Sequence, residues 1–161
     1  MAAYNRWMND SLYSVCALIP DENRKKDMGA SYKSIHGTLN HLLLADILWL
    51  GRFENTPKTF PSLDYVLTDD FHELRAEREA TDNHIESWVV MEGNKMEEEL
   101  DQPVRFHSMT LDKEVSVQRR ISLIHFFNHQ THHRGQLTTL LNQAGYDFGP
   151  VDLIGSPEPQ S

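Results

Sequence analysis

Apolar positions recur at steps of three and four in four stretches of the chain, and before the last of them the step changes to two. Tyr4, Trp7, Met8, Leu12, Val15, Leu18 and Ile19 trace a first amphipathic helix that Pro20 ends. The polar segment DENRKKDMGA then reads as a connector. A serine between Ser31 and Ser34 is available to cap a second helix, IHGTLNHLLLADILWLGRFE, which is apolar nearly all round from Leu39 to Leu50 and belongs at the centre of the fold. His41 and Asp46 interrupt that run. Each needs a partner, because an unpaired buried polar group costs about 1–3 kcal/mol.

NTPKTFPSLDYVL, with two prolines, reads as a loop over the surface or across the mouth of the helices. Thr68 is the expected cap of a third helix with Asp69 and Asp70 in its first turn, and Phe71, Leu74, Thr81, Ile85, Trp88, Val89 and Met96 keep its period. Val104 and Phe106, then Val115 and Val117, alternate on either side of the polar SMTLDKE stretch, as a short hairpin would. The fourth helix carries ISLIHFFNHQTHHRGQLTTLL and ends near Gly145. Four helices without an internal repeat predict an all-α four-helix bundle over residues 1–150, with 151–161, rich in Pro and Gly, as a flexible tail.

Composition narrows the class. With 161 residues, 39% of them hydrophobic, the chain suits one domain with a substantial core, and no apolar run is long enough to span a bilayer. The start, MAAYNRWMND, lacks the basic end and apolar region of a signal peptide. Cys16 is the only cysteine, which excludes an internal disulfide and a multi-cysteine zinc site, so a cytoplasmic location is expected. A formal net charge of −9 without a basic stripe argues against binding to nucleic acid.

The chemistry concentrates in the fourth helix, which holds His125, His129, His132 and His133. His129 and His133 stand four apart and share one face, the spacing at which two imidazoles grip one ion. His41, inside the apolar run of the second helix, is the natural third ligand. Three imidazoles leave open positions on a divalent ion, as in a catalytic site. His132 could replace His133 in an i, i+3 pair, and His125 lies one turn before His129, so both remain alternates. Asp46, Asn128 and Gln136 are candidates to fix an imidazole tautomer. Single histidines such as His36, His72, His84 and His107 are more often surface or satisfied core residues. Gln130 follows His129 where the zinc-protease motif H-E-x-x-H needs a glutamate, so peptide hydrolysis by that route is excluded. Di-iron bundles, which need Glu-x-x-His on two helices, are excluded as well.

The segments YNRWMNDSLY, SIHGTLNHLLLADILWLGRFE and HFFNHQTHHRGQLTTLLNQAG resemble the DinB family, also called DinB/YfiT-like metalloenzymes, over nearly the whole chain from about Tyr4. The resemblance implies an up-down-down-up bundle, a homodimer, and one divalent metal ion held by residues at the matching positions His41, His129 and His133. Relatives of this fold include thiol-dependent transferases and isomerases, so a small-molecule thiol is a possible co-substrate. Zn or Ni is the expected ion, although imidazole donors also suit Cu and Fe. The leading expectation is a metal-dependent hydrolase or thiol (S-) transferase acting on a small molecule. A metal-stabilised helical bundle or dimer that binds a ligand or partner without turnover is the alternative, and a metal-free helical interaction module the third.

Overall fold

A computed structural model describes residues 1–95 and 97–156. Met96 of the third-helix pattern and residues 157–161 of the tail lie outside the described residues. Among the described residues the chain is mostly helical, with one small antiparallel sheet. The elements are α1 (Ala2–Cys16), α2 (Asp21–Lys25), α3 (Ile35–Phe53), α4 (Phe71–Glu92), α5 (Glu97–Asp101), β1 (Pro103–Ser108), β2 (Lys113–Gln118) and α6 (Arg119–Gln143), followed by a 3-10 turn at Leu153–Gly155. No helix among them is long and apolar enough to cross a membrane.

Three local expectations change. The connector after Pro20 contains α2, whose Asp21 and Glu22 stand in the first turn and Arg24 and Lys25 in the last, matching the helix dipole. Arg24 donates back to the carbonyls of Cys16 (3.1 Å) and Ile19, satisfying the open end of α1. Leu18, assigned to the buried face by its spacing, is 75% exposed because α1 has already ended at Cys16. Asp70, not Thr68, caps α4: its carboxylate accepts from the N–H groups of His72 (2.8 Å) and Glu73 (2.9 Å), while the Thr68 hydroxyl accepts from Asp70 N–H.

Other signals are realised as read. Ser34 caps α3 by accepting from Gly37 N–H at 3.0 Å. The hairpin pairs Val104 with Val117 and Phe106 with Val115. At the end of α6, Gly145 takes φ +84°, and the N–H groups of Gly145 and Tyr146 bond back to the carbonyls of Asn142 and Leu141 at 3.0 Å each, a Schellman turn.

The core has two apolar halves. One joins Leu12 of α1, Leu39 and Leu43 of α3, Leu74 of α4 and Leu137 of α6. The other joins Ala2, Leu50 and Phe53, Ile85 and Trp88, and Phe126 of the same four helices, with Val104 of β1. The chain direction between the halves is therefore the same in α1 and α6 and opposite in α3 and α4. A buried polar layer separates them: Arg78 reaches Asp46 at 2.7 Å and Asp82 at 2.9 Å, Asn9 donates to Asp82 at 3.0 Å, Gln130 donates to Asp46, and Arg134 to Asn5. Every long helix contributes to this layer. It gives Asp46 its partner, which is a guanidinium and an amide rather than the imidazole expected from sequence. Burial raises the Asp46 carboxyl to about 6 against the opposing pull of Arg78.

Candidate metal centre

Where α3 packs along α6, His41 meets His129 and His133. The Nε2 atom of His41 lies 3.3 Å from His129 Nε2 and 3.3 Å from His133 Nε2. Two nitrogens bound to one zinc ion at about 2.0–2.1 Å with a tetrahedral angle stand about 3.3–3.4 Å apart. The spacing of the donors thus has the dimensions of a single coordination sphere.

Hydrogen bonds on the far side of two rings fix which nitrogen carries the proton. His41 Nδ1 lies 2.8 Å from the Leu63 carbonyl oxygen, which can only accept, so Nδ1 holds the hydrogen and Nε2 keeps a lone pair. His133 Nδ1 donates in the same way to Gln136 Oε1 at 2.8 Å. The other end of the Gln136 amide donates to His132 Nε2 at 3.2 Å. Two acceptor lone pairs therefore face each other at 3.3 Å without a hydrogen between them. Protonation would relieve the contact, but burial works against it: His129 is pushed down to about 3 and His41 to about 4, and His133 is lowered too, with neighbouring imidazoles adding to the effect. A divalent cation fits a neutral, convergent set of this kind.

The loop between α3 and α4 is held over the cluster by Asn40. Its side chain accepts from Leu67 N–H at 2.8 Å and Thr68 N–H at 3.3 Å and donates to the Thr68 carbonyl at 3.3 Å. Tyr32 closes another side, stacked on His41 with ring centroids 3.7 Å apart and planes 12° from parallel. Gly37 permits this approach, since a Cβ there would stand 2.1 Å from the Tyr32 carbonyl oxygen.

The remaining candidates have other roles. His132 is exposed and belongs to the Gln136 chain, and Asn128 points to solvent; Gln136 does fix a tautomer. His125 lies beside Trp49, with centroids 5.0 Å apart, and lines a cavity instead of joining the cluster. His36 bonds to the Thr68 carbonyl at 3.0 Å, His84 pairs with Glu54, and His107 lies between Asp112 and Glu114. His72 is exposed on α4. Gln130 is fully buried and ties α6 to Asp46 and the Leu42 carbonyl, so the position after His129 faces the core rather than the site.

A cavity of about 510 Å³ opens from His41 and His129 along the groove between α3 and α6 and under the hairpin. Trp49, Phe106, Val115 and Val117 make it largely apolar, and among the described residues no aspartate or glutamate lines it. Sequence reasoning assigned no role to Asn40, Tyr32, the Leu63 carbonyl or Arg52, which also lines the cavity. Arg52 alone carried a legible signal, a cation eleven residues after His41 on a mostly apolar helix.

The lowered imidazole pKa values set a pH dependence for metal-free protein. Unfolded histidines bind protons near pH 6.5, whereas the folded cluster stays neutral down to about 4 and about 3. Between these limits the unfolded chain holds more protons, so stability falls as the pH drops below about 6.5. Urea midpoints of chelator-treated protein at pH 7 and pH 5 check this; the decline is smaller in His129→Ala, which has lost the most strongly shifted group.

Fold and site together define a helical protein with three histidines converging at the end of an apolar cavity. The sequence profile of the DinB family matches residues 1–160, and the chain belongs to that family. It is 26% identical over 155 residues to Protein DinB of Bacillus subtilis (strain 168), spanning 92% of this chain and 87% of that protein. The crystal structure of a DinB-like protein from Bacillus cereus ATCC 10987 superposes with a TM-score of 0.63 at 17% identity, covering 91% of this chain and 92% of that one. At that identity the likeness concerns the fold.

Proposed function

We propose that His41, His129 and His133 hold one divalent ion, Zn or Ni, through their Nε2 atoms, and that the protein is a metal-dependent hydrolase or thiol transferase. The observation that carries this reading is the pair of lone-pair-bearing nitrogens held 3.3 Å apart by hydrogen bonds to Leu63 and Gln136. A divalent ion there supplies Lewis acidity that lowers the pKa of a water or a thiol, so that a nucleophile exists near neutral pH. The chain's own part is to offer three neutral donors, to fix two of their tautomers, and to keep water out with Tyr32, Trp49 and Phe106. His125 is the lining imidazole outside the cluster; partial desolvation against Trp49 and the charge of Arg52 lower its pKa, and it serves as the proton acceptor in a cavity that no carboxylate lines among the described residues.

The same reading takes the four long helices as an up-down-down-up bundle, with residues 1–150 as the domain, 151–161 as its tail and a cytoplasmic homodimer as the working unit. Opposite chain directions of α1 and α6 against α3 and α4 across the two core halves support the bundle.

Two general probes test the activity: a p-nitrophenyl ester for hydrolysis, and chlorodinitrobenzene with a small thiol for transfer. Metal-loaded protein is expected to accelerate at least one of them tenfold or more over its chelator-treated form, and His125→Gln to lower that rate while leaving bound metal unchanged. Equal rates with and without metal would favour a metal-stabilised helical protein without turnover.

A further inference from the structure

The cavity contains a charge that the histidine cluster does not use. On α3, His41, Ala45, Leu48 and Arg52 follow at steps of four, three and four and all line the cavity. The stripe covers about 16 Å of helix, with the histidines at one end and Arg52 at the other. The Arg52 guanidinium carbon lies 3.9 Å from the centre of the Phe106 ring and 4.6 Å from that of Trp49.

Three arginines reach no carboxylate among the described residues, and Arg52 is the one of them that lines the cavity: Arg105 is exposed on β1, and Arg134 is bonded to Asn5. Arg6, Arg24, Arg75, Arg78, Arg119 and Arg120 each reach a carboxylate. Among the described residues none faces Arg52, whose only perturbation is burial, which lowers it to about 10 and leaves it charged at neutral pH. Phe106 and Trp49, whose ring centroids are 5.2 Å apart, crowd one side of the guanidinium, and its other side and N–H edges remain for an acceptor such as a carboxylate. In a chain of net charge −9 this is a local cationic end to an apolar trough.

We propose that Arg52 anchors the carboxylate of an amphipathic organic acid whose apolar body fills the trough between α3, α6 and the hairpin. The other end of that molecule extends toward the histidine cluster. This last clause rests on the metal reading above; the anchoring of the anion does not.

The test uses the full chain, chelator-treated and metal-loaded, titrated with hexanoate, octanoate, decanoate and the neutral decanamide. Calorimetry and tryptophan fluorescence read the binding, since Trp49 lines the trough. Decanoate is expected to bind the metal-free protein, with affinity rising about fourfold for each methylene buried along the series. Arg52→Gln is expected to weaken decanoate tenfold or more, Arg52→Lys less so, and neither to change decanamide, which binds wild type more weakly than decanoate. Unchanged thermal midpoints of both variants confirm that they fold. Decanoate binding that Arg52→Gln leaves intact, or that appears only with metal present, overturns the anchor and leaves the metal reading standing. Arg52-dependent binding in protein that takes up no metal does the reverse.

Discussion

In His129→Ala, zinc or nickel is expected no longer to raise the thermal midpoint. An ion that binds only the folded protein stabilises it by about 4 kcal/mol when free metal exceeds Kd a thousandfold. For a chain of this length that is roughly 8–16 °C, at about 2–4 °C per kcal/mol. His129 is the most informative position, because two donors alone leave the ion without its third imidazole and nothing else at this level of α6 turns inward to replace it. His125 lies against Trp49, and His132 is engaged by Gln136 on the exposed side. The readout is the difference between metal-loaded and metal-free midpoints of the same variant, so any packing loss from the substitution cancels. A shift as large as that of wild type would mean that His129 is not a ligand.

Arg78→Met is expected to destabilise the fold by about 3–5 kcal/mol with or without metal. The methionine approximates the volume but strands Asp46 and Asp82, both 2% exposed or less, beside no cation. Urea denaturation measures the loss. Replacing Asp46 and Asp82 by leucine in the same background is expected to recover most of it, because charge rather than shape is what the single variant leaves unsatisfied. If Arg78→Met alone unfolds at the wild-type midpoint, the polar layer does not hold the two core halves together.

These two substitutions also mark what the sequence made legible. The i, i+4 pair on α6 and the lone imidazole within an apolar helix identify the three histidines, because helical spacing and the cost of an unpaired buried group are local properties of the sequence. The partner of Asp46 was not legible in the same way. Arg78 stands four residues after Leu74 and seven before Ile85, on the apolar stripe of α4, but spacing along one helix does not say which residue of another helix it meets. Tyr32 and the Leu63 carbonyl were hidden for a similar reason: both stand on connecting segments whose course is set by tertiary contacts, the Gly37 approach in one case and the Asn40 bonds in the other. The caps show how narrow the margin is. Thr68 and Asp70 are both good N-cap residues, and the choice fell to Asp70 because its carboxylate accepts from two N–H groups.

The proposed centre is mononuclear, with three imidazole ligands and room for a substrate. Elemental analysis of untagged protein together with X-ray absorption of the same sample tests it most directly. The expected result is one zinc or nickel per chain, bound by three nitrogens at about 2.0–2.1 Å and by at least one oxygen from solvent. A chain that retains no divalent ion after stoichiometric loading, or an ion whose every position is filled by protein donors, contradicts it.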